Sequence, residues 1–114
     1  MTTLYGIPNC DTVRKARHWL DSNGIDYRFH DLRRDGLERG QLQAWVQALG
    51  WERLLNRRGT TWRQLPADVR DTLTGTSAIH IMLQHPAIIR RPVLEHAGRL
   101  EAGFDATTWQ ELFA

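Results

Sequence analysis

The sequence has one cysteine and no long hydrophobic run among its 114 residues, and each shortage excludes a class of protein. A single thiol cannot form an internal disulfide, which excludes a disulfide-stapled extracellular domain. One cysteine with scattered histidines gives no zinc-ligand spacing, so we expect no metal. No apolar run approaches the roughly 20 residues of a membrane-spanning helix, and the first residues lack a secretory pattern. We therefore expect a cytoplasmic protein with no membrane partner.

An excess of charge of one sign is also missing. Fifteen basic residues face thirteen acidic ones, a formal net charge of +2, and fourteen of the basic residues are arginine. They occur in short pairs, without the basic stripe and interleaved aromatics of nucleic-acid-binding proteins, so nucleic acid is a disfavoured partner. With 41% hydrophobic and 25% charged residues, this length is typical of one compact domain.

The one cysteine, Cys10, lies between a predicted strand and a predicted helix. Residues 2–7 are β-branched and aromatic, and apolar residues recur at helical spacing over 12–22. The first N–H groups of a helix have no intrahelical partner, so they favour an anion such as a thiolate. We predict that Cys10 is a reactive nucleophile. The alternative is an inert, buried cysteine that behaves as a small hydrophobe.

Five neighbours of this thiol are candidate site residues. Asp11 or Thr12 is expected to cap the helix, and the Thr12 hydroxyl or backbone N–H to help hold the thiolate. Asn9 would shape the turn over the sulfur. For Asn9 and Thr12 the alternative is simple turn and cap chemistry. Arg14 and Lys15 would favour the ionised thiol through space, unless they are only a solvated helix face.

The remaining chain predicts a mixed α/β protein. Alternating residues at 25–32 predict a second strand, parallel to the first in a right-handed βαβ unit. Cys10 then lies at the carboxyl end of the first strand, where α/β sheets place ligands. The tryptophans are assigned to the core. Further predicted features are helices at 42–49, 51–55, 69–73 and 78–83, a basic loop at 56–61, a hairpin turning near 96–98 from strands within 88–94 and 98–104, and a last helix capped by Asp105.

Three motifs carry a resemblance to a known family. They are Tyr-Gly-Ile-Pro-Asn-Cys-Asp-Thr-Val-Arg-Lys-Ala at 5–16, Leu-Leu-Asn-Arg-Arg-Gly-Thr-Thr-Trp at 54–62 and His-Pro-Ala-Ile-Ile-Arg-Arg-Pro at 85–92. Together they resemble the arsenate-reductase-like (ArsC/Spx) family, most closely its YffB branch. The resemblance covers essentially the whole chain.

The resemblance implies a thioredoxin/glutaredoxin-like fold. We expect a mixed four-stranded sheet, with a helical insertion between the βαβ unit and a C-terminal β-hairpin plus helix. The chain would be a single domain, 1–114, whose thioredoxin-like core covers about 1–32 and 87–114 and whose insertion covers about 33–86.

The resemblance also implies a chemistry. Cys10 matches the family's nucleophile, which attacks arsenate before glutathione and glutaredoxin complete the reduction. Arg91 matches an oxyanion-binding arginine, for which the alternative is a solvated surface residue. Pro92 is expected to follow a cis peptide bond and to face the thiol.

Two further family arginines have no direct match. The first of them aligns with Asn56. Arg57 and Arg58 lie one and two positions further along the chain, and they are either substrate ligands or part of a solvated loop. The other aligns with 100–103, which contains no arginine.

Position 13 decides the predicted redox chemistry. Spx-type regulators carry a second cysteine there, but this chain has Val13, so an external thiol must clear a mixed disulfide on Cys10. We predict a monothiol, glutathione-dependent thiol/disulfide or oxyanion reductase with an unidentified substrate. The alternatives are an Spx-like regulator docking on RNA polymerase and a genuine glutaredoxin-coupled arsenate reductase. We expect no bound cofactor, glutathione as co-substrate and a monomer.

Overall fold

The computed structural model describes all 114 residues, as four strands, seven α-helices and one 3₁₀ turn. The strands are β1 (Thr2–Gly6), β2 (Arg28–Asp31), β3 (Val93–His96) and β4 (Arg99–Ala102). The helices are α1 (Asp11–Ser22), α2 (Arg39–Leu49), α3 (Trp51–Leu54), α4 (Thr60–Gln64), α5 (Ala67–Asp71), α6 (Gly75–Gln84) and α7 (Ala106–Leu112), and the 3₁₀ turn is Pro86–Ile88. None of the helices has the length and apolar character needed to cross a membrane.

The chain divides into two compact units. One contains Met1–Gly36 and Arg91–Ala114, and it holds the whole sheet with α1 and α7. The other is Leu37–Arg90 and is built almost entirely from helices, whereas the predicted insertion covers about 33–86.

The sheet has the strand order β2-β1-β3-β4. β1 is parallel to β2 and antiparallel to β3, which pairs with β4 as a hairpin. The predicted mixed four-stranded sheet and its α/β class are therefore confirmed. On one face Leu4 and Leu94 lie side by side and pack with Leu20 of α1 and Trp109 of α7. This apolar layer holds α1, and with it the start of the helix, against β1.

Helix α1 forms because its apolar residues share one face. Val13, Ala16 and Leu20 are fully buried, and a buried leucine side chain contributes about 1.5–3 kcal/mol relative to an exposed one. The helix ends where predicted: Asn23 is its C-cap, and Gly24 follows with φ +65°, a conformation that glycine adopts at little cost.

Two predicted strands are longer than the observed ones. β2 has only four residues in register with β1, whereas 25–32 was predicted. Ile25 and Tyr27 instead pack against the apolar layer, and the Tyr27 hydroxyl accepts a hydrogen bond from Arg17 Nε at 3.0 Å. The strand predicted within 88–94 begins only at Val93, because Ile88 belongs to the 3₁₀ turn and Ile89 pairs with Leu55 instead of with the sheet.

The helical unit also corrects the prediction. The segment 56–61 was predicted to be a loop, but Thr60 starts the short helix α4 after Gly59. The predicted interruption at 74–76 is a helix start: Thr74 and Ser77 form a reciprocal capping box, and α6 begins at Gly75.

Candidate active site

Cys10 occupies the N-cap position of α1. Its backbone is extended, with φ −113° and ψ 126°, and its carbonyl accepts the Arg14 N–H at 2.9 Å. The prediction that Asp11 or Thr12 caps this helix is wrong, because the cap is the cysteine itself and its side chain makes no capping hydrogen bond. The thiol is partly exposed. It therefore lies at a helix end whose first N–H groups no side chain caps.

The two cations predicted to favour the thiolate have different surroundings. Arg14 donates to the Asp11 carboxylate at 2.6 Å, so this aspartate balances its charge. Lys15, which is exposed, makes no ion pair. Lys15 is consequently a positive charge of the first two turns that no carboxylate balances, although solvent and salt screen it.

A close contact between β1 and α1 positions the thiol. Gly6 is the last residue of β1, and a Cβ atom there would lie 2.8 Å from Val13 Cγ2. Only a glycine lets α1 approach the strand this closely. Val13 is fully buried, so the side chain at the position where the resemblance would place a second cysteine packs in the core.

Arg91 and Pro92 lie at the same end of the sheet as the thiol. Their peptide bond is cis, as the resemblance implied. Tyr5 pairs with Val93 in antiparallel register, so the residues just before Val93 lie beside the carboxyl end of β1. Cys10 follows that same end of β1. Arg91 is partly buried and Pro92 is buried.

Asn9 and Thr12 are both exposed, Asn9 in the turn before the thiol and Thr12 in the first turn of α1. Their proposed contacts with the thiolate stay predictions.

Arg57 and Arg58 belong to the helical unit. The Arg57 guanidinium carbon lies 5.6 Å from the Trp62 ring centroid and 6.0 Å from that of Trp51, within the range of cation–π attraction. Arg58 is exposed, and its backbone N–H donates to Asn56 Oδ1 at 3.1 Å. Arg57 thus packs against two tryptophan rings. This contact was not predicted, because every tryptophan was expected to lie in the core.

The second and third sequence motifs meet in this unit. Leu55 and Ile89 form an antiparallel bridge, flanked by hydrogen bonds from Asn56 N to Ile88 O at 2.8 Å and from Arg90 N to Leu54 O at 2.7 Å. The bridge orders the chain just before Arg91. No group of three or more His, Cys, Asp or Glu side chains is arranged to hold a metal ion.

Comparison with known proteins decides the family. The ArsC family model matches residues 5–112. The chain belongs to the ArsC family. Among solved structures, this ArsC-family protein is similar to the YffB protein, with 42% identity, a TM-score of 0.95 and complete coverage of both chains.

Two further relatives indicate the range of the family. An arsenate reductase (ArsC) related protein from Brucella melitensis is 47% identical, with a TM-score of 0.81 over 98% of this chain and 93% of that one. The global transcriptional regulator Spx of Streptococcus pneumoniae is 28% identical over 107 residues, covering 92% of this chain and 80% of the regulator. The relatives of this chain therefore include a protein described as related to an arsenate reductase and one described as a transcriptional regulator.

Proposed function

We propose that this ArsC-family protein is a monothiol oxidoreductase in which Cys10 is the nucleophile and glutathione is the co-substrate. The observation that carries the proposal is the partly exposed Cys10 at the start of α1, with the fully buried Val13 in place of a second thiol. A helix N-terminus favours a thiolate, which is the nucleophilic form. Reduced glutathione implies a reducing compartment, so we place the protein in the cytoplasm.

The reaction on a glutathione mixed disulfide has two exchange steps. The Cys10 thiolate attacks the glutathione sulfur; the substrate's S–S bond breaks, and the substrate leaves as a thiolate that takes a proton from water. A second glutathione thiolate then attacks the Cys10–glutathione disulfide. It releases the Cys10 thiolate and oxidised glutathione. The incoming glutathione sulfur is thus oxidised to the disulfide level as the substrate sulfur is reduced to a thiol, so the mixed disulfide is exchanged for oxidised glutathione.

Arsenate is the weaker substrate candidate. An oxyanion needs several charge-assisted donors that converge on one small ion. Of the three arginines the resemblance calls for, only Arg91 has a direct match, while Asn56 and the stretch 100–103 replace the others. Losing two charged hydrogen bonds of about 1.5–3 kcal/mol each would weaken oxyanion binding roughly a hundredfold or more. A disulfide substrate makes no such demand.

The test is turnover of an S-glutathionylated peptide, with glutathione and glutathione reductase present and NADPH oxidation as the signal. We expect turnover to fall to the uncatalysed background in Cys10→Ser. Mass spectrometry of the wild-type protein, quenched with acid, should detect glutathione on Cys10. Undiminished turnover in Cys10→Ser would refute the proposal, and efficient arsenate reduction without peptide turnover would reverse the substrate ranking.

The second candidate function is that of a regulator that docks on RNA polymerase. The observation in its favour is the match to Spx over 92% of this chain. Val13 argues against a redox-switched version, because Cys10 has no partner thiol in the chain. Retention of the protein on immobilised RNA polymerase at micromolar concentration would favour this candidate.

A further inference from the structure

An open groove runs along the exposed side of α1 in the sheet-containing unit. Its volume is about 530 Å³, within the range of ligand-binding clefts. We call it the α1 groove. It lies between α1 and the segment that joins β4 to α7, and its principal lining residues are Arg14, Lys15, His18, Trp19, Ser22 and Phe104.

Two aromatic rings form the apolar part of the α1 groove. Trp19 and Phe104 are both partly exposed, and their ring centroids lie 6.4 Å apart in an edge-on arrangement. The buried Trp109 supports both rings, at 5.8 Å from Trp19 and 4.8 Å from Phe104. The rings are therefore packed from behind and present a preformed surface to an apolar side chain.

The charge of the α1 groove is one-sided. Arg14, Lys15 and His18 line it, and no carboxylate does. Asp11 balances Arg14, but Lys15 makes no ion pair. Asp105 follows Phe104 in the chain but does not line the groove; its carboxylate accepts hydrogen bonds from the Thr107 N–H and the Thr108 hydroxyl at the start of α7. An occupant that carries negative charge would therefore complement this surface.

We propose that the α1 groove docks an acidic peptide segment of a partner protein that carries an aromatic or large aliphatic side chain. The stretch from Arg14 to Ser22 extends about 12 Å along the helix axis, which an extended segment of about four residues also spans. An open groove of this length suits a peptide better than a small free anion, which it would leave largely exposed. The Lys15 ammonium attracts the carboxylates of the peptide, and Trp19 and Phe104 contact its apolar side chain.

The groove begins one helical turn from Cys10, whose carbonyl accepts the Arg14 N–H at 2.9 Å. A peptide docked there would bring a neighbouring disulfide to the thiol. This second statement rests on the proposed function, and it makes the substrate a protein disulfide flanked by acidic residues. The docking itself does not require a reactive cysteine.

Docking is tested with the Cys10→Ser protein, which separates binding from chemistry. The probe is the peptide acetyl-Gly-Glu-Phe-Glu-Glu-Phe-Gly-amide, titrated to about 5 mM into ¹⁵N-labelled protein. Two comparison peptides carry lysine in place of glutamate or alanine in place of phenylalanine. We expect the acidic, aromatic peptide to shift the resonances of α1 and Phe104, and both comparison peptides to bind more weakly.

Charge reversal in the groove is the decisive variant. Lys15→Glu should raise the Kd of the acidic peptide about fivefold or more, since it replaces an attraction by a repulsion. Arg99→Glu is the matched control, because this exposed arginine of β4 does not line the groove. Phe104→Ala should weaken binding of the acidic peptide while leaving the peptide with alanine in place of phenylalanine unaffected.

A kinetic measurement separates the two proposals. With versions of the peptides that carry one added, S-glutathionylated cysteine, the wild-type protein should show a lower KM for the acidic one, and Lys15→Glu should invert the preference. If the peptides have equal KM values and the acidic peptide shifts no NMR resonance of the groove residues, the docking site is overturned and the monothiol function stays intact. If the peptide shifts these resonances but no peptide is turned over, the docking site is supported and the monothiol function is refuted.

Discussion

Replacing Gly6 by alanine should test how tightly β1 and α1 are packed at the thiol. The new Cβ atom would lie 2.8 Å from Val13 Cγ2 and 3.2 Å from Cγ1, whereas carbon atoms attract best at about 3.5–4.0 Å. Val13 is fully buried and, being β-branched, is restricted at χ1, so the start of α1 must move. Gly6 lacks a positive φ, so the backbone itself accepts alanine and the effect is purely steric.

Overpacking of this kind costs about 1–3 kcal/mol. At about 4 °C per kcal/mol for a chain of this size, the melting temperature should fall by about 4–12 °C. Alkylation of Cys10 by iodoacetamide should change as well, because the displaced helix start carries the thiol. Urea denaturation measures the free energy of unfolding, and Gly40→Ala is a control that lies within α2 and meets no atom within 4 Å. We expect the control to be neutral or to stabilise by up to about 1 kcal/mol.

A double-mutant cycle identifies the cause. Val13→Ala removes both methyl groups that the new Cβ would strike, so Gly6→Ala should cost almost nothing in that background. The coupling free energy between the two positions should therefore be about 1–3 kcal/mol. Equal costs in the two backgrounds would show that the steric argument is wrong, whatever the size of the single effect.

Three further predictions concern the site, the helical unit and the turn after β2. Arg91→Ala should raise the Kd of glutathione, measured by NMR titration, about tenfold or more, since one charged hydrogen bond is lost; an unchanged Kd would remove Arg91 from the site. Thr74→Ala should cost about 1 kcal/mol of unfolding free energy by removing the cap of α6, whereas the exposed Thr76→Ala should cost clearly less, and equal losses would contradict this. A hydrogen bond from Arg34 holds the pKa of the Asp35 carboxyl below its ordinary value of 3.8. The associated stability is thus present above that value and is lost as pH falls through the folded-state pKa. Arg34→Gln should raise the Asp35 pKa in a ¹³C NMR titration, and no change would refute the assigned cause.

The relatives of this chain have descriptions of two kinds. The Brucella melitensis relative is described as related to an arsenate reductase, and the Streptococcus pneumoniae relative is a transcriptional regulator. This chain combines the partly exposed Cys10 with a buried Val13. That combination suits an enzyme supplied with an external thiol better than a switch that closes its own disulfide.

The sequence by itself determined the parts of this protein that depend on local patterns. The spacing of Val13, Ala16 and Leu20 predicted α1, because one turn of helix repeats every 3.6 residues wherever the helix lies. Asn23 predicted its end and Asp105 the cap of α7, because capping involves only neighbouring residues. The strand–helix–strand pattern predicted the parallel pairing of the first two strands, and the resemblance carried by the family motifs implied the mixed four-stranded sheet.

Only the tertiary structure decided the features that join distant segments. The length of β2 depends on how many residues pair with β1, and the contact of Trp19 with Phe104 joins α1 to the segment after β4. Likewise, the close approach of Val13 to Gly6 joins the first turn of α1, whose N-cap is Cys10, to the end of β1. Residue types and spacing encode hydrogen bonds and burial along one element, but steric contact between elements depends on distances that only the folded chain sets.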